Sequence, residues 1–259
     1  MRVKSLVFVL LVLAVAARAD EWKKTYPVSG TPELRVNTDD GSIQVTTWDQ
    51  PSVQARVITQ GWNIGRQVRV TESQDGNRIE LEVRTPHIQI FGFSHHTVRV
   101  ELSIPKQSNV DLQSGDGAIT VNSVKGTMRL RSGDGAIEGS GLDGQLNAST
   151  ADGHMKVQGR FDQLDLRSGD GRIDADVSQG SHMNSSWSVS SGDGAVTLRL
   201  PQNFSANLDA HTGDGHIRLD FPVSVSGHLN PQTIRGKIND GGPLLEIRTG
   251  DGSISIEKL

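Results

Sequence analysis

Between residues 110 and 256 the apolar and polar positions follow one phrase, written repeatedly around the dipeptide Asp-Gly. The phrase is centred on Asp40, Asp116, Asp134, Asp152, Asp170, Asp193, Asp214 and Asp251. Six positions before each Asp stands Leu34, Val110, Met128, Leu146, Leu164, Trp187, Leu208 or Leu245. Four before it stands Val36, Leu112, Leu130, Ala148, Leu166, Val189, Ala210 or Ile247, and three after it Ile43, Ile119, Ile137, Met155, Ile173, Val196, Ile217 or Ile254. Two before it there is always a hydroxyl: Thr38, Ser114, Ser132, Thr150, Ser168, Ser191, Thr212 or Thr249. Apolar offsets that step by two on either side of a Gly-bearing turn predict two short strands, each with one buried face.

Two architectures produce such a phrase. Each Asp-Gly can be the tip of an antiparallel hairpin, giving a β-meander or sandwich, or each phrase can be one coil of a parallel β-solenoid, with like residues stacked at about 4.8 Å. From Asp116 the steps are 18, 18, 18, 23, 21 and 37 residues. Three equal steps with like residues at like offsets favour stacking of equivalents, and a period near twenty marks a repeat protein. The links 122–127, 140–145 and 158–163 each add one inward candidate, Val124, Leu142 and Phe161, as a third side of a coil requires. Later links lengthen, and the last, with Pro222, Pro231, Gly241, Gly242 and Pro243, reads as a degenerate coil closing the far end. The Asp of each turn is expected to bond a backbone N–H of its own turn, the Gly to take positive φ, and the hydroxyl to tie down the strand end.

Residues 20–109 form an N-terminal β region with one copy of the phrase and then alternating stretches at 53–59, 68–71, 79–84 and 98–104, expected to cover the first coil of the array at 110–259. Asp75-Gly76 lacks the flanking apolar offsets and reads as an ordinary hairpin turn. Ahead of both regions, residues 1–19 carry Arg2 and Lys4, an apolar run of 12 residues and the A-x-A site Ala17-Arg18-Ala19, the pattern of a secretory signal peptide. The run is shorter than the ~20 residues a membrane-spanning helix needs. The exported chain, periplasmic or at the cell surface, is expected to have no integral membrane segment after cleavage.

Losing that segment leaves 23 basic against 30 acidic groups, a net charge of −7, which argues against nucleic acid or anionic lipid as partner. The chain has no cysteine, so disulfides are excluded. An apolar content of 34% with eleven aromatics implies a core of aliphatic side chains, and 29 glycines with no helix-period segment imply an all-β chain rich in turns.

The order of these motifs resembles a known family. After the signal-like segment come Thr38-Asp39-Asp40-Gly41-Ser42-Ile43 with Trp48, then Leu102-Ser103-Ile104-Pro105, the serial Ser-Gly-Asp-Gly-x-Ile, Leu198-Arg199-Leu200-Pro201, and Leu244 to Ile254 ending in Thr249-Gly250-Asp251-Gly252-Ser253-Ile254. Together they are similar to the DUF4097, or toastrack, family of adhesin-like bacterial envelope domains. The resemblance implies a right-handed β-solenoid, an envelope or extracellular location, links to envelope stress systems and surface adhesion, and no catalytic residues to carry over.

Two features suggest chemistry. A row of stacked carboxylates at Asp116, Asp134, Asp152, Asp170, Asp193 and Asp214, about 5 Å apart, repels by roughly 1 kcal/mol per pair in water and 3–4 at an effective dielectric of 20. Such a row calls for donors, protons or cations, and Ca2+ is the cation that oxygen ligands suit. The most apolar and aromatic loop, 86–96, with Ile88, Ile90, Phe91 and Phe93, is the candidate partner-binding surface. His87, His95 and His96 are candidate metal ligands better read as solvated, and His154 and His216 follow Asp-Gly as outward residues. The G-x-G-x-x-G at 139–144 has no helix after it, and the S-x-x-K at 103–106 sits at a strand end.

Three functions fit: a non-catalytic binding or scaffolding module of the envelope with an envelope protein or surface glycan as partner, a calcium-stabilised structural protein, or a polysaccharide-acting β-helix enzyme. Evenly spread acids and scarce aromatics favour the first, with no cofactor and no catalytic residue.

Overall fold

The computed structural model describes residues 19–86, 96–225 and 231–259, and every regular element in it is a β-strand. Residues 1–18 of the signal-like segment lie outside the described residues; Ala19 opens the first strand, Ala19–Pro27.

The Asp-Gly phrases are coils of a parallel solenoid, not hairpins. The strands that precede the turns pair in parallel and in register: Leu34 with Val110, Val110 with Met128, Met128 with Leu146, and Leu146 with Leu164. The strands that follow the turns form a second parallel ladder through Ile43, Ile119, Ile137, Met155, Ile173, Val196 and Ile254. Ile137–Thr150 and Met155–Ser168 run from the second ladder of one coil through the link into the first ladder of the next. The links form a narrow third ladder, with Lys125-Gly126 beside Asp143-Gly144 and Leu142 beside Gly159.

In-register stacking places every apolar offset in one continuous core. All positions six and four before Asp are buried, as are Val124, Leu142 and Phe161 of the links. Of the positions three after Asp only Ile217 is half-exposed, because Ile217–Leu219 pairs on one side only, with Ile254–Lys258. The core is aliphatic apart from a few rings, Trp187 being its largest fully buried side chain.

The coils are not stacked in chain order at either end. The first phrase, 33–48, lies between 78–105 and 109–122, since Glu33–Thr38 pairs with both Arg78–Arg84 and Asn109–Ser114. At the other end the C-terminal coil, 244–258, is inserted between 187–200 and 206–219. The expected N-terminal cover is therefore itself a coil: Ile79, Leu81 and Val83 stand in register with Leu34, Val36 and Thr38, and Val100 with Ile43. No Asp-Gly stands between its two strands, Arg78–Arg84 and Thr97–Pro105.

Antiparallel strands close both ends. Ser52–Gln60 pairs with Thr97–Pro105, Ala19–Pro27 with Ser52–Gln60, and Arg69–Asp75 with Arg78–Arg84. The outermost strands carry Lys23, Lys24, Arg69 and Glu72 on exposed or half-exposed positions, which discourages edge-to-edge pairing. At the far end the predicted degenerate coil is instead an antiparallel cover, Thr233–Ile238 on Ala206–Thr212 with Val223–Val225 beyond it.

Candidate binding surface

The turns line up along one edge of the stack and share one hydrogen-bonded clasp. In all but the Asp251 turn, the strand-end hydroxyl accepts the N–H of the Gly that follows Asp: Gly117 to Ser114 at 2.9 Å, Gly135 to Ser132 at 3.1 Å, Gly171 to Ser168 at 3.0 Å, Gly194 to Ser191 at 3.0 Å and Gly215 to Thr212 at 3.0 Å. Gly41 and Gly153 do the same with Thr38 and Thr150. The same hydroxyl donates to the equivalent Gly carbonyl of the neighbouring coil, Ser132 to Gly117 O at 3.0 Å, Thr249 to Gly194 O at 2.8 Å and Thr212 to Gly252 O at 2.7 Å. A buried hydroxyl thus satisfies two backbone groups at once, which is why the position admits only Ser or Thr.

The expected positive φ of these glycines is not found. The left-handed glycines are elsewhere, among them Gly76 at φ 59 in the one Asp-Gly that is a true hairpin turn, between Arg69–Asp75 and Arg78–Arg84. The coil glycines are required for closeness: a Cβ on Gly153 would stand 2.1 Å from Gly135 O, and one on Gly171 2.0 Å from Gly153 O. Nor does the turn amide go to its own carboxylate, because the hydroxyl has taken it.

Asp116, Asp134, Asp152, Asp170, Asp193 and Asp214 are all exposed on this edge, with Asp40 at one end and Asp251 between Asp193 and Asp214. Among the described residues no three His, Asp or Glu side chains converge as a metal site would require. His154 and His216 are exposed, as expected, His154 lying 3.5 Å from Glu138 and His216 3.2 Å from Ser253.

Charges on the coil faces are paired across the ladders. Arg160 donates to Asp143 at 2.5 Å and to Asp162 at 2.6 Å, and Arg199 joins Asp176 at 2.8 Å to Glu257 at 3.0 Å. The Arg160 hydrogen bond holds Asp162 below the usual carboxylate range. At Asp143 partial burial opposes the charge, but Arg160 and Lys125 together outweigh it and its pKa is also lowered. Glu21 is lowered by its hydrogen bond from Arg56, while Arg160 and Arg199 are raised by the hydrogen bonds to Asp162 and Asp176. Burial pushes the Tyr26 phenol up, with Glu72 adding to it. Each of these shifts fixes a group in its ordinary state, the opposite of the tuning toward neutrality that acid–base catalysis needs.

Two of the recesses among the described residues are lined by arginine. One, of about 420 Å³, lies over the strands before the turns and holds Arg35, Arg78, Glu33, Glu80, Asp111 and Arg129. Arg78 is paired with Glu33 at 2.9 Å and Arg35 with Asp111 at 3.5 Å, so its charge is largely cancelled. The other, of about 440 Å³, lies at the Asp40 end of the Asp edge and is lined by Asp40, Ser42, Gln60, Trp62, Thr85, His96 and Arg99, among others. Trp62 and His96 stack there with ring centroids 4.8 Å apart and planes 17° from parallel. Thr85 N–H donates to Asp39 Oδ2 at 2.8 Å and Arg84 to Asp39 Oδ1 at 2.6 Å, fixing Thr85 beside the first coil.

The predicted contact residues Ile88, Ile90, Phe91 and Phe93, with His87 and His95, lie outside the described residues. Trp62 and Arg99 carried no local signal in the sequence. Trp62 lies beyond the end of Ser52–Gln60, away from any repeated phrase, and only the pairing of 52–60 with 97–105 brings it to His96.

The family model described as Toastrack DUF4097 matches residues 31–257. Among curated proteins no match is found. Solved structures similar to this chain include a candidate cell adhesion protein from Clostridium sporogenes ATCC 15579, 16% identical, covering 93% of this chain and 100% of that one, TM-score 0.44. A candidate adhesin from Bacteroides fragilis NCTC 9343 is 12% identical over 92% of this chain and 97% of that one, TM-score 0.47. One from Parabacteroides merdae ATCC 43184 is 14% identical over 92% and 96%, TM-score 0.44.

Proposed function

The chain belongs to the Toastrack DUF4097 family, and from that premise we propose that it is an exported, non-catalytic, adhesin-like binding module of the bacterial envelope whose ligand is a surface glycan. The observation that carries this reading is the recess at the end of the Asp edge. It combines a stacked aromatic pair, Trp62–His96, with the planar polar groups of Asp40, Gln60 and Arg99. Aromatic rings offer the flat apolar contact that the C–H faces of a sugar take, and planar amide, carboxylate and guanidinium groups offer hydrogen bonds in fixed directions. Ile88, Ile90, Phe91 and Phe93 fall in sequence between Thr85 and His96, which line this recess, and are assigned to the same contact surface. No helix among the described residues is long and apolar enough to cross a membrane.

The enzyme reading finds less support, because the acids are spread one to a coil and the shifted groups are locked in ion pairs. Ca2+ as a structural ion needs ligands the Asp edge does not bring together among the described residues. The test is binding of the purified protein to envelope polysaccharide, with release of reducing ends followed in parallel. Trp62→Ala and Arg99→Ala should each weaken binding at unchanged melting temperature, and no sugar should be released. Binding indifferent to both substitutions, or turnover, would overturn the proposal.

A further inference from the structure

The chain contains eleven Asp-Gly dipeptides, at Asp40, Asp75, Asp116, Asp134, Asp143, Asp152, Asp170, Asp193, Asp214, Asp240 and Asp251. Asp-Gly is the sequence at which polypeptides most readily rearrange. The Gly backbone nitrogen attacks Cγ of the Asp carboxyl, a C–N bond forms, and the carboxyl oxygen leaves as water with the amide proton. Water then adds to either carbonyl of the resulting succinimide, and opening at the α-carbonyl leaves the chain running through the β-carboxyl as isoaspartate. No oxidant or cofactor is needed, only a free amide and room for the ring to close. An exported protein carrying eleven such sites is exposed to this reaction throughout its length.

We infer that the hydroxyl clasp of the coil turns is a chemical guard that suppresses succinimide formation, and that Asp75-Gly76 is the site of spontaneous isoaspartate formation in this protein. In seven coil turns the nucleophile is engaged: the Gly N–H of Gly41, Gly117, Gly135, Gly153, Gly171, Gly194 and Gly215 donates to its own hydroxyl at 2.9–3.3 Å. The proton that must leave is therefore held. Ring closure must also swing the Gly peptide, and that peptide is pinned from both sides. At Gly117, Gly135, Gly153, Gly171 and Gly194 its carbonyl accepts a neighbouring coil's hydroxyl, as Gly117 O does from Ser132 and Gly171 O from Ser191, and its Cα lies against the adjacent Gly carbonyl.

The other sites are held differently. Asp143 is bound by Arg160 and Lys125, Gly241 N–H donates to Ile238 O at 3.0 Å, and Gly252 packs on Gly194 O without the clasp. Asp75-Gly76 has none of these restraints. Both residues are exposed, Gly76 has φ 59 with nothing within 4 Å of where a Cβ would stand, and its N–H donates to no group among the described residues. Its carbonyl accepts from Gln74 Nε2 at 2.9 Å.

The experiment is site-resolved peptide mapping of the full mature chain aged at neutral pH, with isoaspartate identified by electron-transfer fragmentation and each site referred to the same site in denatured chain. Asp75 should convert at close to its denatured rate, while the seven clasped sites run at least about tenfold slower than theirs, the factor one buried hydrogen bond supplies. Ser132→Ala should raise conversion most at Asp134, whose Gly135 N–H loses its acceptor, and less at Asp116, whose Gly117 carbonyl loses its donor; Ser132→Thr, which keeps the hydroxyl as at Thr38 and Thr150, should hold both at the parent level. Circular dichroism on the aged samples confirms that the fold persists. Clasped sites converting as fast as Asp75, or Asp134 unchanged in a folded Ser132→Ala protein, would overturn the inference.

Discussion

Thr150→Val isolates the clasp, because valine keeps the β-branched shape and strand preference and removes only the hydroxyl. Thr150 Oγ1 donates to Gly133 O at 2.9 Å and Gly135 O at 3.1 Å and accepts Gly153 N–H at 3.3 Å. Gly133 O keeps a second partner, the N–H of Ala151, so two backbone groups are orphaned, Gly153 N–H and Gly135 C=O. At roughly 1–3 kcal/mol for each unsatisfied buried group the loss is about 4 kcal/mol. The buried methyl returns about 1 kcal/mol, leaving a net destabilisation of about 3 kcal/mol. For a chain of this size that lowers Tm by roughly 6–12 °C. Urea unfolding followed by circular dichroism measures it, with Thr197→Val on the outward face as control. A loss for Thr150→Val within about 0.5 kcal/mol of zero, the range of ordinary surface substitutions, would refute the view that these hydroxyls hold the coils together.

Three further outcomes follow from the geometry. Gly171→Ala should cost about 2–3 kcal/mol by driving Gly153 O away, more than the roughly 1–2 kcal/mol of a left-handed alanine at Gly76; denaturant midpoints of the two variants rank them. Asp143 and Asp162 have folded-state pKa values below the ordinary carboxylate value, so their contribution is complete above about pH 4 and is lost as pH falls through the lowered values. Tm should therefore fall below about pH 4, and Arg160→Gln should lower Tm at neutral pH more than in acid, which melts across pH would show. Excess chelator should leave Tm unchanged, since the exposed turn carboxylates do not converge; a fall restored by Ca2+ would reinstate the cation row.

The repeated phrase was legible because its offsets encode chemistry that acts locally. A hydroxyl two before Asp and apolar residues six and four before it can be read wherever the coil lies, and Leu34 to Leu245 all fall in the core. The coil at 78–105 escaped because residues 85–96 contain no Asp-Gly and Val83 stands where the hydroxyl should be. The stacking order was illegible for a deeper reason. Trp187, Leu245 and Leu208 are all large and apolar, and Ser191, Thr249 and Thr212 can all clasp a neighbour, so nothing in one coil names the coil above it. The role of the coil glycines was misread because Asp-Gly between strands suits a left-handed turn equally well; whether the residue bends the chain or admits another chain beside it depends on a neighbour far away in sequence. The Trp62–His96 recess depends on pairing of the same kind.

The interleaved C-terminus bears on how the protein is made. Synthesis delivers 206–219 before 244–258, yet the later segment ends up beneath the earlier one. The molecule therefore cannot be assembled by simple accretion from one end. The berth for the last coil must be kept open, or be opened again by parting two segments already able to grip each other. Under the export proposed above, that closing step falls to the far side of the membrane.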